Sequence, residues 1–323
     1  MSAQALLQLK NVTKIFRYGF FGFKFKAVDN VSLTLEDKPF IFTLAGESGS
    51  GKTTLARIIL GIYKPEYGEV LYKGKNIFKL KGGEVNWFRK EIQAVFQDPY
   101  ATFNLLRKVY GYLYDTAKNV AGIKKDEIDA YIDETLRRVG LNIEKVKDKY
   151  PHEFSGGELQ RVSIARALLT NPRIIVADEP VSMLDASLRI SIVNLFKELK
   201  ESLGISFIYI THDLSTAYYI SDWIAIMFRG WIVETGPVEK VLNDPLHPYT
   251  KTLIMSVAVP DIKWRSKWLE AIKLASSIEE KEFIARGCKY AGRCPYATER
   301  CLNEEPPEIN VNDVYVKCWL YQK

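Results

Sequence analysis

A run of nine residues in the first fifth of the chain has the composition and spacing of a phosphate cradle. Glycines let the backbone curl so that successive N–H groups face one anion, and a following helix presents the positive end of its dipole. A lysine can bind β and γ phosphates, and a threonine hydroxyl can ligate Mg²⁺. The run is Gly46, Glu47, Ser48, Gly49, Ser50, Gly51, Lys52, Thr53 and Thr54. Its first eight residues fit G-x-x-x-x-G-K-[ST], which predicts binding of a nucleoside triphosphate with Mg²⁺.

A pair of carboxylates follows an apolar segment much later in the chain. Residues 173–177 read Arg-Ile-Ile-Val-Ala, and Asp178 and Glu179 come directly after them. A carboxylate at the end of a buried strand suits Mg²⁺, and its neighbour can act as a general base on an attacking water. The pair therefore narrows the prediction from phosphate binding to hydrolysis.

The segments around these motifs predict the elements that must position them. Residues 40–44, 173–177 and 206–210 are short apolar runs typical of buried strands, and they alternate with helical patterns at 53–60 and 188–203. Such alternation indicates a mostly parallel sheet. Residues 6–12, 27–35 and 67–80 predict further strands, and about 100–165 predicts a helical insert.

Composition limits the classes of protein that fit. The chain has 323 residues, of which 47% are hydrophobic and 26% charged, with 45 Lys and Arg against 39 Asp and Glu. The resulting charge of +6 is too mild to favour a nucleic-acid binder, and three histidines argue against a His-rich metal enzyme. Neither a secretory signal nor an apolar run of spanning length is visible, so we expect a soluble intracellular protein able to dock on a membrane through another protein.

A third motif narrows the family. Residues 154–161 read Phe-Ser-Gly-Gly-Glu-Leu-Gln-Arg, with a second candidate anion site before a helix. The segment resembles the signature loop of ATP-binding cassette (ABC) ATPases, although Glu158 stands where Gln is usual. The resemblance implies that two subunits pair head to tail and that each signature loop closes on the γ-phosphate of the other. It assigns that contact to Ser155, Gly156, Gly157 and Glu158.

The remaining motifs of that family follow in order. Gln97 matches the Q-loop glutamine that senses Mg²⁺ and the attacking water, and Asp185 matches the D-loop at the dimer interface. His212 matches the switch histidine, and Phe16 resembles the aromatic residue that stacks on adenine, with Tyr18 as second choice. The resemblance implies that Glu179 polarises water for in-line attack while His212 stabilises the developing charge.

The resemblance also implies the architecture. We expect an α/β P-loop NTPase fold of the ABC type, with a RecA-like, mostly parallel sheet, an antiparallel β subdomain and a helical subdomain. The predicted domains are an ABC ATPase domain at 1–240, with its helical subdomain at about 100–165, and a C-terminal extension at 241–323.

The extension indicates the branch of the family. Residues 243–253, which include His247-Pro248-Tyr249, and residues 287–307 resemble segments of oligopeptide and dipeptide importer ATPases. Residues 261–286 depart from that pattern, because Ile262, Trp264, Trp268 and Ile272 recur at helical spacing and predict an added helix.

All four cysteines lie in this extension, at Cys288, Cys294, Cys301 and Cys318. Their spacing lacks the C-x2-C pair common in zinc sites, and a reducing cytosol disfavours disulfides. The residues themselves leave iron–sulfur, zinc, disulfide and free-thiol readings open. The branch resemblance implies a [4Fe–4S] cluster on the four thiolates.

The implied partners are a related but different ATPase chain, two transmembrane permeases and an extracellular solute-binding protein. The permeases would contact the chain near residues 97–110, on the cytoplasmic face of the membrane. Peptide is the first expectation for the cargo and oligosaccharide the second. A soluble, non-transport ABC ATPase and a regulatory cassette without hydrolysis are the alternatives from other classes; Gln97, Glu179 and His212 argue against the latter.

Overall fold

The computed structural model describes residues 5–18, 23–256, 280–283 and 285–322. Its strands are β1 (Ala5–Tyr18), β2 (Phe23–Glu36), β3 (Ile41–Ala45), β4 (Tyr67–Tyr72), β5 (Lys75–Asn76), β6 (Ile92–Val95), β7 (Ile174–Asp178), β8 (Ser206–Ile210), β9 (Trp223–Phe228), β10 (Trp231–Pro237), β11 (Glu308–Val311) and β12 (Val314–Lys317). The buried runs predicted at 40–44, 173–177 and 206–210 are confirmed as β3, β7 and β8.

Helices fill much of the rest. They are α1 (Lys52–Ile59), α2 (Gly83–Glu91), α3 (Val109–Asp115), α4 (Ile128–Arg138), α5 (Ile143–Val146), α6 (Gly156–Leu168), α7 (Ala186–Leu203), α8 (Leu214–Ile220), α9 (Val238–Asn243), α10 (Pro248–Met255), α11 (Glu280–Phe283) and α12 (Glu299–Asn303). A π-helical stretch, Thr116–Ala121, follows α3. Among the described residues, no helix is both long enough and apolar enough to cross a membrane.

The chain divides into two compact units. The first unit contains Met1–Asp37, Phe42–Asn76 and Thr211–Lys323, and the second contains Lys38–Ile41 and Ile77–Ile210. The motifs predict a different division, into domains at 1–240 and 241–323, and that division stays a prediction.

The first unit contains most of the antiparallel structure. Its strands β2, β1, β4 and β5 form one antiparallel sheet in that order. Five further strands are hydrogen-bonded neighbours in one sheet, in the order β11, β12, β10, β9 and β3. Among them only β9 and β3 pair in parallel. Because β12 of the extension pairs with β10, the extension adds strands to the sheet that carries β3, the strand leading into Gly46.

The second unit is mainly helical. Its strands β8, β7 and β6 are parallel neighbours, so their carboxyl ends lie at one edge. Helices α3 to α6 and the π-helical stretch occupy most of the range predicted to be helical, about 100–165, whose bounds as a subdomain stay a prediction. Helix α7 connects β7 to β8. The added helix predicted within 261–286 lies mostly outside the described residues, apart from the short helix α11.

Candidate nucleotide-binding site and cysteine pocket

The loop of residues 46–53, called the P-loop from here on, connects β3 to α1 and requires its glycines. Gly46 has φ +145° and Gly51 has φ +109°, in backbone conformations that other residues rarely adopt. A Cβ atom on Gly46 would stand 2.2 Å from the Met227 carbonyl oxygen, and one on Gly51 would stand 2.2 Å from that of Ala27. The loop is therefore pressed against the backbones of β9 and β2, and only glycine fits at these two positions.

The lysine of the P-loop is folded back onto the loop. Lys52 is 6% exposed, and its ammonium donates to the carbonyl oxygens of Gly46, at 2.8 Å, and Glu47, at 2.9 Å. The N-cap of α1 is Gly51, which has no side-chain oxygen to accept from the first helical N–H groups. An arriving phosphate would therefore meet a buried positive charge and a helix N-terminus without a side-chain cap.

His212 and Phe16 lie in the same unit as the P-loop. The backbone N–H of Thr211 donates to the Leu44 carbonyl at 3.2 Å, which fixes the exposed His212 beside the end of β3. Phe16 of β1 is half-buried, with its ring centroid 5.6 Å from that of Tyr63 and 6.1 Å from that of Phe25. The side chain of Tyr18, the second choice for adenine stacking, lies outside the described residues.

The two acidic residues and Gln97 lie in the second unit. Asp178 ends β7, and Glu179 follows with φ +47°, a left-handed conformation that is uncommon outside glycine. The Glu179 N–H donates to the Ile210 carbonyl at 2.9 Å, at the end of β8. Gln97 follows β6, which is parallel to β7, so all three lie beyond the same edge of the sheet. That edge gathers groups suited to Mg²⁺ and to a water nucleophile.

The signature loop, residues 155–158, caps its own helix. The Ser155 Oγ accepts from the Glu158 N–H at 3.3 Å, while a Glu158 carboxylate oxygen accepts from the Ser155 N–H at 3.1 Å. This reciprocal capping box lowers the pKa of Glu158, chiefly because the Ser155 N–H stabilises its charged form. The start of α6 therefore carries the negative charge of the half-buried Glu158 beside the exposed Ser155.

Asp185 stabilises the start of α7 in the same unit. Its carboxylate accepts from the Leu188 N–H at 2.9 Å and from the Ser187 hydroxyl at 2.8 Å, and these hydrogen bonds lower its pKa. The two helix starts are close, because a Cβ on Gly157 would meet Leu188 at 2.9 Å. The structure thus brings the predicted signature-loop and D-loop residues together.

The four cysteines line one pocket of the first unit, together with His247, Tyr290 and Trp319. All four are unbonded thiols, and the Cys288 N–H donates to the Cys301 carbonyl at 2.7 Å. Burial raises the pKa of the Cys288 thiol to about 12, and the charges of the other three cysteines add to the rise. Within the described residues, no group of three or more histidine, cysteine or acidic side chains is placed to hold a metal ion.

Sequence reasoning missed a contact between the extension and the P-loop. The Glu47 N–H donates to the phenol oxygen of Tyr249 at 2.9 Å, although the two residues are 202 positions apart. Tyr249 is fully buried and belongs to the His247-Pro248-Tyr249 segment at the start of α10. In the sequence, the His247-Pro248-Tyr249 segment indicates only the importer branch, and no pattern there predicts a contact with the P-loop.

Comparison with known proteins agrees with these features. Residues 28–182 match the family model described as "ABC transporter", and residues 233–301 match "Oligopeptide/dipeptide transporter, C-terminal region". A putative oligopeptide transport ATP-binding protein of Bacillus subtilis, YkfD, is 39% identical over 300 residues, covering 92% of this chain and 90% of the relative. The oligopeptide transport ATP-binding protein OppF of Streptococcus mutans is 44% identical over 259 residues, covering 79% and 82%.

A solved structure gives the same result for the fold. The ATP-binding cassette MJ0796, in a dimeric post-hydrolysis state bound to ADP and Pi, superposes with a TM-score of 0.64 at 31% identity, covering 72% of this chain and 98% of that one. The expected P-loop ABC fold is confirmed, and with it an ATPase activity of the kind that drives transport. The chain belongs to the ATP-binding subunits of the oligopeptide/dipeptide ABC transporter family.

Proposed function

We propose that this chain hydrolyses ATP to drive the import of oligopeptides or dipeptides through a membrane transporter. The observation that carries the proposal is the joint presence of a complete set of ABC motifs and a family-type extension in one chain. The relatives named above are oligopeptide transport proteins, so they lend no support to the oligosaccharide alternative.

The proposed chemistry divides between the two units. In the first, Lys52 leaves the carbonyls of Gly46 and Glu47 to bind the β and γ phosphates, Phe16 stacks on adenine and His212 stabilises charge on the γ-phosphate. In the second, Glu179 polarises the water. The signature loop acts on the ATP held by a second, related ATPase subunit, and Asp185 lies at that subunit interface.

The donors proposed for Mg²⁺ fit a hard cation. The Thr53 hydroxyl, the Asp178 carboxylate and the Gln97 amide oxygen are all oxygen ligands. The ion neutralises charge on the β and γ phosphates when it is bound.

A groove in the second unit fits docking of a membrane subunit. It encloses about 240 Å³ and is lined by Gln93, Phe96, Thr102 and Arg166 among others. Nearby in sequence, Leu105 is 50% exposed and Leu106 is 88% exposed. Since large apolar side chains at a surface often mark an interface, we propose that residues 97–110 meet a permease at the cytoplasmic face of the membrane, while a solute-binding protein delivers cargo outside.

We also propose that the four cysteines hold a [4Fe–4S] cluster. Their thiols line one pocket and are unbonded, which disfavours the disulfide reading. A single zinc ion would need its ligands to converge on one position. Among the described residues, no three histidine, cysteine or acidic side chains are placed in that way. The thiolates of a four-iron cluster each bind a different iron, so they can stand farther apart.

The cluster proposal has a direct test. Anaerobically purified chain should absorb broadly in the visible range and contain iron and sulfide, and Cys318→Ser should lose both. Colourless, iron-free wild-type protein from the same preparation would overturn the proposal.

The transport proposal is tested with the assembled transporter in vesicles. ATP enclosed with the cassette subunits should drive uptake of a labelled dipeptide, and Glu179→Gln in this chain should remove most of that uptake. Uptake of labelled oligosaccharide but not of peptide would contradict the proposed cargo.

A further inference from the structure

Four charged side chains cluster at the P-loop, and one of them, Glu47, belongs to the loop itself. Two carboxylates, of Glu47 and Glu282, alternate with two guanidiniums, of Arg229 and Arg293. Both arginines contact Glu282 closely: the Nε atom of Arg229 lies 2.7 Å from one carboxylate oxygen, and the Nε atom of Arg293 lies 2.5 Å from the other. Both are farther from Glu47, whose Oε2 lies 4.0 Å from Nη2 of Arg229 and 3.8 Å from Nη1 of Arg293. Arg229 has no exposed side-chain surface, and Glu282 and Arg293 expose 8% and 7% of theirs. We call these four residues the charge cluster.

The charge cluster connects the P-loop to distant parts of the first unit. Arg229 lies in the β9–β10 turn, whose next residue, Gly230, donates its N–H to the Ser50 carbonyl of the P-loop at 2.8 Å. Glu282 belongs to α11, in the segment that departs from the branch pattern. Arg293 directly precedes Cys294 of the cysteine pocket. The P-loop is therefore linked to the extension through ionic groups that are shielded from water.

Arg229 is incompletely satisfied in this arrangement. Among the described residues, its Nη1 and Nη2 atoms have no hydrogen-bond partner, although a guanidinium offers five N–H donors. A buried donor without a partner is costly, so a closer approach of Glu47 would stabilise it. Glu47 belongs to the loop that must rearrange when Lys52 turns from the Gly46 and Glu47 carbonyls toward a phosphate.

We propose that the charge cluster positions the P-loop, so that the affinity for ATP depends on α11 and on the cysteine-bearing extension. The proposal rests on the P-loop being the ATP site. Glu282, Arg229 and Arg293 act through Glu47 and are positioning residues. Tyr249 supports the same point from the other side, because its phenol oxygen accepts from the Glu47 N–H.

Glu282→Gln separates positioning from a simple field effect. Removing a negative charge near the P-loop would, by field alone, strengthen the binding of anionic MgATP. Loss of positioning weakens it, because the two guanidiniums are left with one carboxylate and shift Glu47. With the full chain and a fluorescent MgATP analogue, we expect the Kd to rise about tenfold. Glu304→Gln, which removes the exposed Arg300–Glu304 ion pair of the same extension, is the matched control and should leave the Kd unchanged.

A second variant covers the case in which Glu282→Gln does not fold. Arg293→Lys keeps the charge but loses the planar fork that reaches both Glu282 and Glu47. A field effect predicts an unchanged Kd for this variant, and positioning predicts a weaker one. A lowered Tm with an unchanged or tighter Kd in the folded variants would overturn the proposal.

Lys52→Ala distinguishes this failure from failure of the ATP site itself. If Lys52→Ala loses MgATP binding while Glu282→Gln and Arg293→Lys bind as wild type does, only the charge-cluster proposal is overturned. If Lys52→Ala also binds as wild type does, the P-loop assignment is overturned as well.

Discussion

The P-loop and the signature loop both lead into helices, but they treat the helix start in opposite ways. Helix α1 begins at the buried Lys52, and its N-cap, Gly51, has no side-chain cap. Helix α6 has the exposed Ser155 as its N-cap, which forms reciprocal hydrogen bonds with Glu158. One start is open and positive, and the other is capped and carries a carboxylate.

The difference indicates separate roles for the P-loop and the signature loop, although both are glycine-containing loops before a helix in the sequence. The P-loop needs glycines at Gly46 and Gly51, since the backbones of β9 and β2 leave no space for a Cβ atom there. The start of α6 is closed by its own side chains, which agrees with the proposal that the signature loop acts on the ATP of a second subunit. The P-loop should therefore govern binding, and the signature loop should govern turnover.

The largest expected effect comes from the P-loop. Lys52→Ala should weaken MgATP binding about 100-fold, because it removes the buried ammonium intended for the phosphates. Equilibrium titration of the full chain measures this effect. Lys240→Ala, which removes an exposed lysine paired with Asp313, is the control and should bind as wild type does. Equal binding of MgATP by the two variants would contradict the proposed role of Lys52.

The signature loop should give the reverse pattern. Ser155→Ala should lower ATP turnover by the assembled transporter about tenfold while changing the Kd of the isolated chain less than about twofold. The variant also loses the cap of α6, at a cost of about 1 kcal/mol in the free energy of unfolding. Steady-state hydrolysis and titration are measured on the same preparation. A large loss of binding would show that this loop belongs to the chain's own binding site.

Acid should lower the free energy of unfolding through His247, the N-cap of the helix that begins with Pro248 and Tyr249. His247 is fully buried, its Nδ1 accepts from the Tyr249 N–H, and burial lowers its pKa to about 3. Between about pH 6.5 and about pH 3, His247 is protonated in the unfolded chain but not in the folded chain. The free energy of unfolding therefore falls with pH in this range, by at most about 1.4 kcal/mol per pH unit. Thermal unfolding at pH 7.5 and 5.5 should show a smaller loss for His247→Asn, which cannot titrate. Equal losses would remove His247 as the cause.

The smallest expected effect concerns the carboxylate of the signature loop. Glu158→Gln keeps an acceptor for the Ser155 N–H but removes a negative charge from a loop that must approach phosphate, so turnover should rise about twofold to threefold. Glu153 forms a similar bond to the Tyr150 N–H in the turn before this loop, so Glu153→Gln is the matched control. A fall in turnover with Glu158→Gln would mean that the charge itself assists the reaction.

Local motifs were predictable from the sequence, and distant contacts were not. The strand–loop–helix around Lys52 follows from an apolar run, glycines and a helical pattern that are contiguous in the chain. The contact of Tyr249 with Glu47 and the cluster around Arg229 join residues far apart, and no spacing rule predicts such pairs. The capping box at Ser155 could be predicted from the sequence, because Glu lies three residues after the Ser, but the family resemblance points to a contact with phosphate at Glu158 instead.

The proposed function depends most on the ability of this chain to hydrolyse ATP with Glu179 as the base. The most direct test measures MgATP binding and steady-state hydrolysis of Glu179→Gln beside wild type in the assembled transporter. We expect a similar Kd and turnover at least about 100-fold lower, because the amide cannot polarise the attacking water. Turnover at the wild-type rate in this variant would contradict it.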